Sequence, residues 1–318
     1  MADSDDRQHR PVAGILFCVF ALLGFAIQDS MIKELSTRYP LLEVLCVRSV
    51  MVLGLLVMVG LTLHGPKILR GNQPRPLMLR GLLAFFAFTT YYLALSRIPL
   101  ADAAAVYMTA PLFVTLLSAL VLREKVGIHR WGAVIIGFTA VLIMLAPGSA
   151  LFRPEAAIPL FSALCYALIP IINRRIGMTE HALTMGIYTT FTYLSLIVLT
   201  ALIIHLIPVP QNLNDILAGL FQRWYGLSAA DLGLAFAASC LFSLALLGIT
   251  QAYRIAIVST VTPFEYSYLV WATLIGFIFF GDVPGLRTIF GGLAVVACGC
   301  YIVLRERKLA RMKGTVVR

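Results

Sequence analysis

The sequence predicts an all-α integral membrane protein, with ten transmembrane helices in two inverted five-helix repeats and both termini on the cytoplasmic side. Three observations carry that prediction. The 318 residues are 60% hydrophobic and only 13% charged, against about 25% charged in an ordinary soluble domain. Lys and Arg are distributed unevenly between alternate loops, and the second half of the chain repeats features of the first. No water-soluble core could hide this much apolar surface. The same composition excludes a disordered chain. An outer-membrane barrel would need strands of about ten residues alternating polar and apolar, and the apolar runs here are continuous.

The first run opens at Pro11, a residue suited to the first turn of a helix, and reaches about Gln28. Its leader, Asp3 to Arg10, mixes acids and bases, and no small-residue cleavage site follows, so a retained helix is expected. Nine further runs cover Leu42–Leu63, Leu77–Ser96, Asp102–Leu122, Arg130–Ala146, Ala156–Ile172, Leu183–Ile207, Leu232–Tyr253, Val258–Phe280 and Gly285–Leu304. Each approaches the roughly 20 residues a spanning helix needs. Between the seventh and eighth, Pro208–Ala230 spaces Leu213, Ile216, Leu217, Leu220, Phe221 and Trp224 as an amphipathic segment lying along the surface.

An even number of spans puts both ends on one side. With the N-terminus inside, eighteen of the 25 Lys and Arg fall in inner segments, Arg80 among them; six fall outside and Arg48 lies within a span. Cytoplasmic loops carry such a bias. A net charge of +10 would suggest nucleic acid in a soluble protein. Here the basic residues flank apolar runs, so the implied partner is the lipid bilayer and no nucleic acid is expected. The six cysteines all fall inside apolar runs and read as small core residues. The five histidines are scattered near span ends and form no ligand cluster. HExxH, Walker A and GxGxxG patterns are missing, so no metal, cofactor or catalytic residue is expected.

The repeat is read from three correspondences. Arg97-Ile98 before the fourth run resembles Arg254-Ile255 before the ninth. Arg123-Glu124-Lys125-Val126-Gly127 after the fourth is matched by Gly281-Asp282-Val283-Pro284-Gly285 after the ninth. A glycine-bearing helix then ends each half, with Gly132 and Gly137 in one and Gly291, Gly292 and Gly299 in the other. The halves are 1–147 and 148–318. Five helices per half is odd, so the second copy enters the membrane upside down. Inverted repeats supply the two mirror-related states that alternating access needs around a midplane site. A duplication without any role in transport is the plainer alternative.

Leu79-Arg80-Gly81-Leu82-Leu83, Tyr91, Ala94, Ala101–Ala105, Pro111-Leu112-Phe113 and Glu124 resemble the first repeat of an EamA-type transporter of the drug/metabolite transporter superfamily. Thr262-Pro263-Phe264-Glu265-Tyr266, Trp271-Ala272, Gly276, Phe280-Gly281-Asp282 and Pro284 resemble the second. The likeness covers about Val12 to Leu304 and implies the ten-helix, two-repeat plan. Asp29…Lys33-x-Leu35, Glu43…Arg48 and Pro263…Tyr266 are similar to the bacterial branch holding S-adenosylmethionine and riboflavin carriers. The resemblance implies a multi-pass inner-membrane secondary transporter taking up a small amphipathic metabolite by alternating access. An exporter of amino acids or toxic metabolites on the same fold is one rival. An integral-membrane enzyme is another, though no paired catalytic constellation appears; a channel is a third.

Charges within a span are costly and are candidates for function. Arg48 lies ~10 Å into its helix by the helical rise. It could clamp a carboxylate or phosphate with both prongs of its fork, or form a structural pair with Asp29 or Glu43. Glu265 follows Pro263, which loosens the helical ladder; it could carry a proton or meet a cationic ligand, or pair with Arg254 near the inner surface. Asp29 is read as ending the first helix, either as a coupling or gate residue with Lys33 at i+4 in an exposed ion pair or as a helix cap. Gln28 and Gln251 could line the path or hydrogen-bond between helices. Tyr91, Tyr92 and Tyr107 in one repeat and Tyr266, Tyr268 and Trp271 in the other could stack on a planar cargo or anchor the protein at the interface. Tyr107 and Trp271 are preferred, being away from span ends; Tyr91 and Tyr266 are further candidates. Glu124 and Asp282 follow equivalent helices and read as cap or gate residues. Ala133 with Gly137 and Gly233 with Ala237 permit close helix approach, within the fold or in a homodimer.

Overall fold

The computed structural model describes residues 11–121, 128–145, 154–176, 180–206, 220, 222–255 and 261–315, and among them it is helical throughout, without a strand. Glu124 and most of the amphipathic stretch after the seventh run lie outside the described residues. Seven helices are long and apolar enough to cross a membrane. Three shorter apolar helices accompany them: Trp131–Leu145, Phe264–Phe280 and Leu286–Ile302.

The first helix, α1 (Pro11–Arg38), starts where expected and runs ten residues beyond Gln28. The expected end at Asp29 is therefore corrected. Gln28, Asp29 and Ser30 are polar but buried at 0%, 7% and 5% exposure, so their polarity marks the protein interior and not an exit from the membrane. At about 1.5 Å per residue its 28 residues span about 42 Å, more than the ~30 Å hydrocarbon core. The helix α2 (Leu41–His64) begins after Pro40 and closes on Gly65, whose φ of +69° suits a residue without a Cβ. A short 3-10 turn, Pro66–Leu69, leads to α3 (Pro74–Leu95), which has proline in its first turn.

The fourth run was expected to be one span. It is one of the seven, as Leu100–Leu117, but broken into two helices, α4 (Leu100–Tyr107) and α5 (Ala110–Val121), joined at Met108 and Thr109. Pro111 has no N–H to offer the Tyr107 carbonyl, so the ladder is interrupted there. The Thr109 hydroxyl bonds back to the Val106 carbonyl at 2.7 Å. The helices α6 (Ile128–Leu145), α7 (Ile158–Ile176) and α8 (Ala182–Leu206) follow. After α9 (Ala229–Ile255) the chain is interrupted again: a 3-10 turn, Thr262–Tyr266, carries Pro263 and leads into α10 (Ser267–Phe280). The last helix, α11 (Leu286–Thr315), continues through the basic stretch expected to be a tail after Leu304.

Helix pairing sets the architecture. α1 packs along α9, α3 along α7, α6 along α11, and α2 along α8; α3 also meets α8, α2 meets α9, α1 meets α10, α7 meets α4 and α5, and α4 meets α10. Small residues permit the close approaches. A Cβ added at Gly24 would sit 3.3 Å from the Ala245 Cβ, and one at Gly248 3.2 Å from that of Ala21, across the α1–α9 seam. Gly137 faces Leu112, so the Ala133–Gly137 pair is used within the fold, between α5 and α6. Leu45, Leu95, Leu100, Leu112 and Ile197 are completely buried in the main core. Ile135, Ile136, Phe277, Ile278, Phe279 and Phe290 are all more than half exposed, as lipid-facing side chains must be.

Candidate functional site

Where α1, α2, α3 and α10 meet, the apolar interior holds a polar cluster. Arg48 is 3% exposed, Tyr92 4%, Tyr91 and Tyr268 5%. Arg48 Nη1 donates to Gln28 Oε1 at 2.8 Å and to the Tyr92 hydroxyl at 2.7 Å. Gln28 Nε2 donates to Asp29 Oδ1 at 2.7 Å and to Tyr92 at 3.0 Å. Tyr92 donates to Asp29 Oδ1 at 2.7 Å, and Tyr268 donates to Asp29 Oδ2 at 2.5 Å. Because the Tyr268 proton is given to Asp29, the 2.7 Å contact between the Tyr91 and Tyr268 hydroxyls is donated by Tyr91. One cation and one anion are thus joined through two relays, Gln28 and Tyr92, without direct contact. Buried charges need such compensation. The guanidinium also lies against the rings of Tyr92 and Phe242, 5.0 and 4.9 Å from their centroids.

The exposed Asp29–Lys33 pair expected from i+4 spacing does not form. Asp29 turns inward, and Lys33 Nζ reaches Asp282 Oδ2 at 3.0 Å and the Ile98 carbonyl at 3.1 Å while lying over the Phe280 ring. The same end of the molecule carries three further ties. Arg38 pairs with Asp231 at 3.2 Å. Glu43 accepts the backbone N–H of Gly226 at 2.7 Å, so it is not Arg48's partner. Thr288 donates to Asp102 at 2.7 Å. Five contacts between sequence-distant segments therefore tie the Lys33 end together.

From the cluster, rings continue toward the opposite end. Tyr91 lies 5.6 Å from Tyr92 and 5.0 Å from Tyr107; Tyr107 lies 5.5 Å from Tyr166 on α7. Tyr166 also packs on Phe88 at 6.4 Å. Tyr166 is 36% exposed and is the end of this ring series. Trp271 is half-buried on α10, and its indole Nε1 has no hydrogen-bond partner among the described residues. The buried Tyr266 hydroxyl and the Arg48 and Arg80 Nε atoms share that condition. Tyr266 faces Gly299, where a Cβ would stand 1.5 Å from its hydroxyl. Glu265 is half-buried in the 3-10 turn; the Arg254 side chain lies outside the described residues. Gln251 is separate from Gln28. It borders a largely apolar cavity of about 550 Å3 between α1, α2, α8 and α9, with His64, His181 and Thr250.

The structure therefore brings Gln28, Asp29, Arg48 and Tyr91 into one network, with Tyr107 adjoining it. Gln251 lies apart, and Asp282 belongs to the tied end. Tyr92 and Tyr268 are the hydroxyls that hold the network together, although sequence reasoning ranked Tyr107 and Trp271 above them. Their signal is faint: each is a tyrosine among apolar residues in mid-helix, which equally describes a packing residue. Among the described residues no group of His, Cys, Asp and Glu could hold a metal.

Comparisons with known proteins address what this arrangement serves. Residues 12–146 match the EamA-like transporter family. The chain is 26% identical over 299 residues to an S-adenosylmethionine uptake transporter of Rickettsia prowazekii (strain Madrid E), covering 93% of this chain and 94% of that one. It is 28% identical over 312 residues to a riboflavin transporter of Vibrio cholerae, covering 97% and 99%. It is 27% identical over 297 residues to the pseudopaline exporter CntI of Pseudomonas aeruginosa, covering 93% and 97%. A solved crystal structure with 17% identity has the same fold at a TM-score of 0.56, covering 94% of this chain and 99% of the other. Transport is what these relatives share, and the protein is accordingly a transporter and not an enzyme: a multi-pass protein of the bacterial inner membrane whose residues 12–146 resemble the EamA-like transporter family.

Proposed function

We propose that the protein is a secondary transporter of ten transmembrane helices, N-in and C-in, which takes up a small amphipathic metabolite of the S-adenosylmethionine or riboflavin kind by alternating access. The carrying observation is the buried Arg48–Gln28–Tyr92–Asp29 network, contributed by α1, α2 and α3, and tied to the second half of the chain through Tyr268. A buried guanidinium with an unused Nε can take a cargo carboxylate or phosphate, and the adjoining rings can stack on a planar part. The two proline-interrupted segments, at Pro111 and Pro263, support this reading, because they fall in equivalent spans of the two halves and broken helices mark carrier sites.

The packing pairs support the inverted repeat over 1–147 and 148–318. Exchanging α1 with α7, α2 with α8, α3 with α9, the α4–α5 pair with the Pro263 turn and α10, and α6 with α11 turns the main pairs into one another. The pair α1–α9 becomes α7–α3, and α2–α9 becomes α8–α3. With the N-terminus inside, the Lys33 end is periplasmic, and Lys33–Asp282 acts as a gate over the site. A relative that takes up S-adenosylmethionine and one that takes up riboflavin support import; the pseudopaline exporter supports the second reading, export.

The test is uptake of labelled S-adenosylmethionine and riboflavin into right-side-out and inside-out vesicles. Import predicts saturable, counterflow-competent uptake into right-side-out vesicles, abolished by Arg48→Ala at unchanged membrane levels. Retained uptake in Arg48→Ala removes Arg48 from the site. Net flux confined to inside-out vesicles establishes export instead. Tags at both chain ends should be reached only from the cytoplasm.

A further inference from the structure

Arg80 was counted with an inner loop, but it stands in the second turn of α3 with its side chain turned into the bundle. Nη1 donates to the Met185 carbonyl on α8 at 2.9 Å and also to the Thr189 hydroxyl. Its Nε is buried without a partner, and no carboxylate among the described residues lies within ion-pair distance of it. A charge so placed within a span is costly and marks a ligand path. Tyr166, the exposed end of the ring series, is Arg80's electrostatic neighbour. Arg80 lies twelve residues before Tyr92 on the same helix, ~18 Å along its axis. Rings from Tyr92 through Tyr91 and Tyr107 to Tyr166, spaced 5.0 to 5.6 Å, lead from the Arg48 network to Arg80's neighbour.

We propose that Arg80 is a second anion-binding station at the cytoplasmic mouth, linked to Arg48 by this tyrosine series, and that it receives the carboxylate of a planar, zwitterionic cargo on its way in. The inference rests on the import reading above and deepens it by naming the cargo's chemistry. Each tyrosine face can stack on a planar ring with little regard for its identity. The two guanidiniums bind the same carboxylate in turn, at the outer and inner ends of the series. Glu265 also neighbours Tyr166. An acid there opposes a purely anionic solute and suits the ammonium of an aminocarboxylate.

The experiment measures labelled S-adenosylmethionine flux from each face in oriented vesicles of wild type, Arg80→Gln and Arg80→Lys. Unlabelled 5′-methylthioadenosine, which keeps the planar ring but lacks the aminocarboxylate, serves as competitor. Losing a charged hydrogen bond raises KM at the cytoplasmic face of Arg80→Gln about tenfold or more. Arg80→Lys recovers part of that loss, KM at the periplasmic face changes by less than about twofold, and competition by 5′-methylthioadenosine is unaltered. A transporting Arg80→Gln with wild-type KM at both faces overturns the station. Equal losses at both faces, or equal loss of 5′-methylthioadenosine competition, overturn it as well, since they mark a general packing defect. Wild-type vesicles that carry no S-adenosylmethionine overturn the cargo class and the station together, and so separate that failure from a failure of Arg80 alone.

Discussion

Tyr92 shows how one side chain can organise a buried charge. Its hydroxyl accepts from Arg48 and Gln28 and donates to Asp29. Tyr92→Phe leaves all three partners one bond short, at ~1–3 kcal/mol for an unsatisfied buried group. A lower melting temperature and at least about tenfold weaker uptake are the expected outcomes, measured on purified protein and in vesicles. Glycines give a second residue-level contrast. A Cβ at Gly299 would collide with the buried, stiff Tyr266 ring, whereas one at Gly291 would meet the flexible end of Met144. Gly299→Ala should therefore destabilise by about 1–3 kcal/mol, and Gly291→Ala by much less; the two melting curves check this. Glu265→Gln tests proton carriage. Insensitivity of uptake both to this change and to proton uncouplers would rule that role out. At this scale the sequence made Arg48 conspicuous, because a charge in an apolar run is rare. It could not show which neighbours answer that charge: Gln28, Tyr92 and Tyr268 lie far apart along the chain.

The elements that matter most are the two that are broken. Pro111 separates α4 from α5, and Pro263 heads the 3-10 turn before α10. Tyr107 ends α4, so the break places its ring between Tyr91 and Tyr166. Pro111→Ala supplies an N–H for the Tyr107 carbonyl and should extend one helix across the break. The expected result is slower hydrogen exchange around residues 107–111 with a reduced transport rate; unchanged exchange would contradict the account. Apolar content made the spans legible, and the prolines were visible. The end of the first helix was not legible, because its polarity served a second purpose. Asp29 reads as a helix end with an exposed ion pair, but α1 runs on to Arg38 and Asp29 turns toward a buried network.

For the whole molecule, the tertiary arrangement ties one end together: Lys33, Arg38, Glu43 and Asp102 all find partners in distant segments there. If Lys33–Asp282 gates the site, Asp282→Lys should slow uptake severalfold. The reversed pair Lys33→Asp/Asp282→Lys should recover most of the rate, because the attraction survives the exchange of signs. Recovery is read from initial rates at equal membrane levels; its failure assigns Asp282 a role other than pairing.

Composition by itself determined that the chain lives in a bilayer, because only lipid can accommodate so large an apolar fraction, and span length and loop charge follow from the same solvent. Tertiary structure alone decided which polar groups meet. A polar residue in a helix carries no record of the partner that satisfies it, and Asp29, Lys33 and Arg80 each acquired their surroundings only when helices distant in sequence were packed together.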